Sequence, residues 1–445
     1  MGGENAGTRF RLFPQAPFLH PERPPEIVVI ASPPGLIGPG PSDDRLYVVE
    51  PVHKAQPYGI VPGPLGTPFF SLPPWRGPIR EPARPGPDGH FDHIPVDSHQ
   101  FAQAHLFGAI RFVLEVWERY LGHRIEWHVA RDFERLEVVI LPSLRNAHVG
   151  YGYMESGTIP QPDGSVADFA LNFDVIAHEI GHLIIYSELG IPARSVEQKE
   201  YFGFQESAAD SAALIAVLHF ESMIEQLLAD THGNLYGMNE LNRFAELSAA
   251  DQIRIASNSV KLSEFARGWD DEHDLSQPLT GAIFDILVDI FQEILVERGL
   301  IGRDLAMLSD QLLDHPEHEP VVQSAFSAAY RYRYQEFRAA LLDARDYLGF
   351  ALAETWKRLP ARFLDYEDVG NVLLAVDNAM SGGRYRQEIW ESFDWREIGR
   401  VHVGPRLTPP DASSHAFSDR TLGPEVRRQL PKMCYRERML LNAQK

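Results

Sequence analysis

The chain has 445 residues, a formal net charge of −21, and ordinary apolar (44%) and charged (23%) fractions. That length can bury a large core and predicts two or three structural units, while the acidity excludes nucleic acid or an anionic membrane surface as the main partner, since both need basic patches. A single cysteine, Cys434, excludes an intrachain disulfide. The start has no uninterrupted apolar core of a signal peptide and no later run reaches the roughly 18 apolar residues of a membrane span, so a cytoplasmic protein and one exported without a recognisable signal both fit.

Residues 1–95 are predicted to form a proline-rich extended arm, since 20 of the 34 prolines fall within residues 1–90. Phrases such as Pro33-Pro-Gly-Leu-Ile-Gly-Pro-Gly-Pro41 forbid long helices and favour extended chain. The same region carries Ile27-Val-Val-Ile30, Leu46-Tyr-Val-Val49, Phe69, Phe70 and Trp75, more large apolar groups than a pure linker holds, so the arm is expected to pack on the rest through short strands. His90, His93 and His99 read as a loop with exposed histidines rather than a second metal site. Helical spacing runs from Ser98 to Leu121. Leu136-Glu-Val-Val-Ile-Leu141 is a strand ended by Pro142, and Asn146 to Ser156 reads as a second strand, with Gly150 and Gly152 permitting close backbone approach. A helix is predicted over Asp174–Glu188 and another over Phe204–Leu228. Ser276 is the expected N-cap of a long apolar helix reaching Arg298, with Pro278 in its first turn. Three further helices are expected over residues 320–380. The pattern is that of an α+β protein: the arm, an α/β lobe over residues 96–190, a mainly helical lobe over 191–400 and a tail over 401–445.

One stretch carries chemistry. Ile176-Ala-His-Glu-Ile-Gly-His182 contains H-E-x-x-H, and helical residues four apart share a face. His178 and His182 can therefore bind one zinc ion, with Glu179 facing water to be activated as a nucleophile. A catalytic zinc usually has a third protein ligand. The best candidate is Glu206 in Gln205-Glu-Ser-Ala-Ala-Asp210, at the start of a helix 24 residues after His182. Asp210, four residues on, suits the carboxylate that commonly receives the other N–H of a metal-bound imidazole.

These motifs resemble those of the thermolysin-like metallopeptidases, the gluzincins, over about 150 residues from Asn146 to Leu295. Asp174-Val-Ile-Ala-His-Glu-Ile-Gly-His182 is similar to that family's D-V-V-A-H-E-x-x-H, and Gln205-Glu-Ser-Ala-Ala-Asp210 to its N-E-x-x-S-D. Asn146-Ala147 resembles the edge strand that pairs with substrate backbone, and Asp270-Asp-Glu-His273 the segment bearing a transition-state histidine. The resemblance implies a two-lobed fold with the zinc helix between the lobes, one zinc per chain and a peptide or protein substrate. It implies catalytic roles for Glu179 and His273, orientation of His273 by Asp270 or Asp271, and Tyr201 as a second oxyanion donor. It departs at Ser211–Phe220, which is apolar where thermolysin carries an acidic loop for paired calcium ions, so such a calcium site is not expected. The other function in view is a non-catalytic or specialised relative that binds a protein partner through the cleft or the arm.

Overall fold

The structure is a computed structural model that describes residues 7–62, 68–161, 164–191, 200–237, 239, 243–244, 254–405 and 407. Most of the tail expected over 401–445, including Cys434, lies outside the described residues. The arm opens with β1 (Thr8–Leu12) and β2 (Glu26–Ile30), an antiparallel pair whose alternate residues Phe10, Leu12, Val28 and Ile30 are buried, as a two-residue period dictates. It continues through β3 (Leu46–Val49), β4 (Gly59–Pro62) and β5 (Pro68–Ser71). Helix α1 (His99–Leu121) begins where the Ser98 side chain accepts the Phe101 N–H and ends at Gly122 in the left-handed region.

β6 (Leu136–Ile140) pairs in parallel with β3. Residues 146–156, expected as one strand, form a hairpin: β7 (Ala147–Gly150) returns as β8 (Tyr153–Ser156). Gly152 makes the turn with φ +87°, a backbone region costly for other residues. The resulting sheet has the order β3-β6-β8-β7, with β7 as an edge. A short hairpin of β9 (Thr158–Pro160) and β10 (Val166–Asp168) leads into α2 (Phe173–Glu188), whose cap is the Asn172 side chain accepting the Val175 N–H.

The helix expected over Phe204–Leu228 is two helices, α3 (Tyr201–Val217) and α4 (Glu221–Thr231), bent by 92°. The break is tertiary in origin, because the Arg345 guanidinium donates to the Leu218 carbonyl (3.0 Å) where a continuing helix would need it. The next helix also differs from expectation. α5 (Glu272–Glu297) is capped by Asp271, not Ser276, and Pro278 lies inside it. The Ser276 hydroxyl instead donates to the His273 carbonyl (2.7 Å). Then follow α6 (Arg303–Asp310), α7 (Glu319–Tyr330), α8 (Tyr334–Arg358), α9 (Tyr366–Ser381) and α10 (Arg386–Trp395). Among the described residues no single helix is long and apolar enough to cross a membrane.

The protein is thus α+β, and its four-stranded sheet has two covered faces. Leu136, Val138, Ile140, Ala147, Val149 and Met154 join α1 and α2 in one buried apolar cluster. Glu137, Val139, Tyr153 and Glu155 face the other way, toward the arm around Tyr58.

Candidate metal centre

Helix α2 is buried along almost its whole length, so its histidines face protein rather than solvent: His178 is 4% and His182 7% exposed. The four-residue spacing sets both rings on one face, with centroids 4.6 Å apart. Helix α3 packs against that face, and Gly181 permits it: a Cβ there would come within 2.8 Å of the Ala209 Cα. Glu206, on the facing side of α3, is 2% exposed. Its Oε2 lies 3.3 Å from His178 Nε2 and 3.5 Å from His182 Nε2. The three buried donor atoms all lie within 4.8 Å of one another, so the trio could hold a metal ion. Ligands about 2.0–2.1 Å from a tetrahedral centre stand roughly 3.3–3.4 Å apart, close to the spacing of Glu206 from both rings.

The remote nitrogens fit the same reading. His178 Nδ1 lies 2.8 Å from Asp210 Oδ1, and the other Asp210 oxygen accepts the Thr280 hydroxyl at 3.4 Å. His182 Nδ1 lies 3.3 Å from Gln205 Oε1. An imidazole held by an acceptor at Nδ1 donates there, so Nε2, the nitrogen each ring turns toward Glu206, is the one left to meet an ion. Burial alone would raise the Glu206 carboxyl, but the His273 and His182 imidazoles, with hydrogen bonds from His178 and His182, hold it well below the usual carboxylate range. A ligand that stays ionised is what a cation needs.

The other expected residues fall into place in different ways. Glu179, next to His178, reaches the sheet edge, where its Oε2 accepts the Val149 N–H of β7 at 3.0 Å. Ala147 lies on that strand, and the Asn146 side chain accepts the Ala147 N–H at 2.9 Å. His273, in the first turn of α5, brings Nδ1 to 3.0 Å from Glu206 Oε2 and keeps a quarter of its side chain exposed. Asp271 accepts the His273 backbone N–H (2.8 Å) as helix cap, so the contact seen fixes the start of the helix rather than the ring. Asp270 is exposed just before it. Tyr201 is not at the mouth of the site: it is fully buried, and its hydroxyl donates to the Gly190 carbonyl (3.0 Å) and accepts the Gln205 amide N–H (3.1 Å). His90, expected in an exposed loop, is 8% exposed and accepts the Arg9 N–H at 3.1 Å. Ser211–Val217 lies buried in α3.

Sequence reasoning assigned no role to Val149, Gln205 or Thr280. Gln205 had a local signal, its place beside Glu206. Val149 acts through its backbone and Thr280 lies seven residues beyond His273, so neither carries a motif.

No protein-family model matches the chain, and no curated protein matches its sequence. Among solved structures, the precursor of protealysin, a metalloproteinase from Serratia proteamaculans, matches with a TM-score of 0.36 and 13% identity, covering 73% of this chain and 84% of that one. A likeness that loose carries no argument about function, and the site is read from its own residues.

Proposed function

We propose that this protein is a zinc-dependent endopeptidase with a thermolysin-like, two-lobed layout, residues 96–190 and 191–400 forming the walls of a cleft. The observation that carries this reading is the approach of three buried donors, His178, His182 and Glu206, with an acceptor at each remote imidazole nitrogen. Two nitrogens and one carboxylate oxygen suit zinc and leave room for a further ligand. Bound there, the ion would supply Lewis acidity toward a carbonyl oxygen and toward water.

The chain's own groups do the rest. Glu179 takes a proton from the attacking water and returns it to the leaving amine. The Val149 N–H, 3.0 Å from Glu179, holds the carboxylate at the sheet edge. An extended peptide would add to that edge beside Asn146 and Ala147, the recognition mode of strand addition, in place of the Asn146 side chain on the Ala147 N–H. His273, 3.0 Å from Glu206 and a quarter exposed, donates to the developing oxyanion, a contribution of about 3 kcal/mol for one well-aimed donor. Asp210, through His178, and Asp271, through the start of α5, position these groups.

The test is metal content of the purified protein by mass spectrometry, together with a peptide-library cleavage assay. About one zinc per chain, lost in His178→Ala and in Glu206→Ala, is expected. Glu179→Gln should retain zinc and lose roughly 100-fold or more of its turnover. A protein that binds library peptides without cutting them would instead be a binding module, and a zinc-free protein would overturn the reading altogether.

A further inference from the structure

The two histidines of the centre are supported unequally. The Nδ1 partner of His178 is a carboxylate oxygen of Asp210, which at neutral pH can only accept, so it enforces an N–H on Nδ1. The partner of His182 is the Gln205 side-chain amide, which has two ends. Its oxygen stabilises the tautomer with hydrogen on Nδ1 and a lone pair on Nε2. Its NH2 group, if turned toward the ring, would stabilise the opposite tautomer, with hydrogen on Nε2, and that form cannot bind a metal through Nε2. Something must decide which end of Gln205 faces His182.

Resting on the metal-centre reading above, we infer that Tyr201 is a positioning residue that sets the tautomer of His182 through Gln205. A hydroxyl has one hydrogen. That of Tyr201 goes to the Gly190 carbonyl (3.0 Å), so the hydroxyl presents a lone pair to Gln205 and receives the amide N–H at 3.1 Å. With its NH2 engaged, Gln205 turns Oε1 to His182 Nδ1 (3.3 Å). The polarity runs one way along the chain: imidazole N–H to amide oxygen, amide N–H to hydroxyl oxygen, hydroxyl hydrogen to carbonyl. Its last member cannot be reversed, because a backbone carbonyl only accepts. Gln205 and Tyr201 are both fully buried, so water does not readily replace any member. Gly190 lies two residues beyond the end of α2 and Tyr201 begins α3. The relay therefore ties the protonation pattern of a metal ligand to the relative placement of the two helices that carry the ligands.

The experiment uses the full chain, with zinc affinity measured by competition against a chelator and the His182 tautomer by nitrogen-15 NMR of the metal-free protein at pH 8. The His182 signal is assigned by its loss in His182→Gln, and folding of each variant is checked by circular dichroism. Wild type should show hydrogen on Nδ1. Tyr201→Phe should weaken zinc about 10-fold or more and give a mixed or reversed tautomer. Adding Gln205→Glu to Tyr201→Phe makes the partner of His182 acceptor-only, so the double variant should recover both the tautomer and the affinity. A role of Tyr201 in packing alone predicts no such recovery. The inference is overturned if Tyr201→Phe leaves tautomer and affinity unchanged, or if the double variant fails to restore the tautomer. Absence of zinc binding by the wild type would sink the proposed function, while the tautomer measurement would still decide for or against the relay.

Discussion

The two faces of the central sheet are built on different principles. The face toward α1 and α2 is apolar, through Leu136, Val138, Ile140 and Met154. The face toward the arm buries two carboxylates, Glu137 (1% exposed) and Glu155 (0%). Helices satisfy most of their own backbone hydrogen bonds, so a sheet beneath them need supply only apolar surface. A proline-rich chain with little regular structure brings backbone donors that lack partners of their own. Two of them are met by this face, the N–H groups of Tyr58 and Trp75 going to Glu155 and Glu137, and two more by side chains of α1, where that of Ala83 goes to Gln103 and that of Phe13 to His105. Glu137 also accepts the hydroxyls of Tyr47 and Tyr58, each at 2.6 Å. Buried polar residues on a strand thus mark where irregular chain, rather than helix, will cover it.

The contrast can be broken most directly in β6. Glu137→Ala should cost about 4 kcal/mol, since it leaves the buried Tyr58 hydroxyl and the partly buried Tyr47 hydroxyl and Trp75 N–H without their acceptor. Val138→Ala, the next residue on the opposite face, should cost about 2 kcal/mol, the lost methyl groups and a small cavity. Urea unfolding of both variants gives the comparison, and equal losses would remove the distinction between the faces.

Acid should sharpen it. His105 is neutral in the fold, its pKa pushed down to about 4 by burial, with Nε2 accepting the Phe13 N–H at 2.9 Å and Nδ1 2.8 Å from the Ala170 carbonyl. The unfolded chain takes up a proton below about pH 6.5 and the folded one only near 4, so this contribution is fully present above 6.5 and is lost as pH falls toward 4. Its size is about 3 kcal/mol over that window. Thermal unfolding followed from pH 7.5 to 4.5 should show a shallower acid slope in His105→Gln than in wild type; parallel slopes would mean that another group carries the effect.

On the helical side the expected change is smaller. Gly181→Ala places a Cβ 2.8 Å from the Ala209 Cα and should cost about 2 kcal/mol by overpacking. Because Gly181 adjoins His182, the zinc affinity expected under the proposed function should fall with it. Calorimetric stability and chelator competition measured on the same samples test this, and a variant of native stability with undiminished affinity would show that the helices have slack.

Legibility followed the range of the interaction. His178, Glu179 and His182 were readable because helical periodicity fixes which residues share a face, and Glu206 and Asp210 for the same reason one helix later. Helical spacing was enough to start α1 at Ser98, where the structure adds a side-chain cap. The misread elements failed where distant groups intervened or where two local signals competed. Nothing between Leu214 and Phe220 breaks a helix by composition, and it is Arg345, 127 positions from Leu218, that takes the carbonyl. Pro278 suggested a first turn at Ser276, yet Asp271 caps the helix one turn earlier and α5 carries the proline inside. Gly152 was read as a place for close approach when its positive φ makes a hairpin turn.

The sequence by itself determined the polar groups and their local faces: two imidazoles on one side of a helix, the Glu179 carboxylate next to the first of them, and the Glu206 carboxylate one helix later with Asp210 four residues on. These depend on side-chain chemistry and helical pitch, both properties of a few adjacent residues. Only the tertiary structure decided that α2 and α3 meet across Gly181, that His273 approaches Glu206, and that the buried Tyr201 hydroxyl accepts the Gln205 amide N–H. Those outcomes depend on which hydroxyl, amide or carbonyl packing brings within about 3 Å of another, and spacing along one chain does not encode that distance.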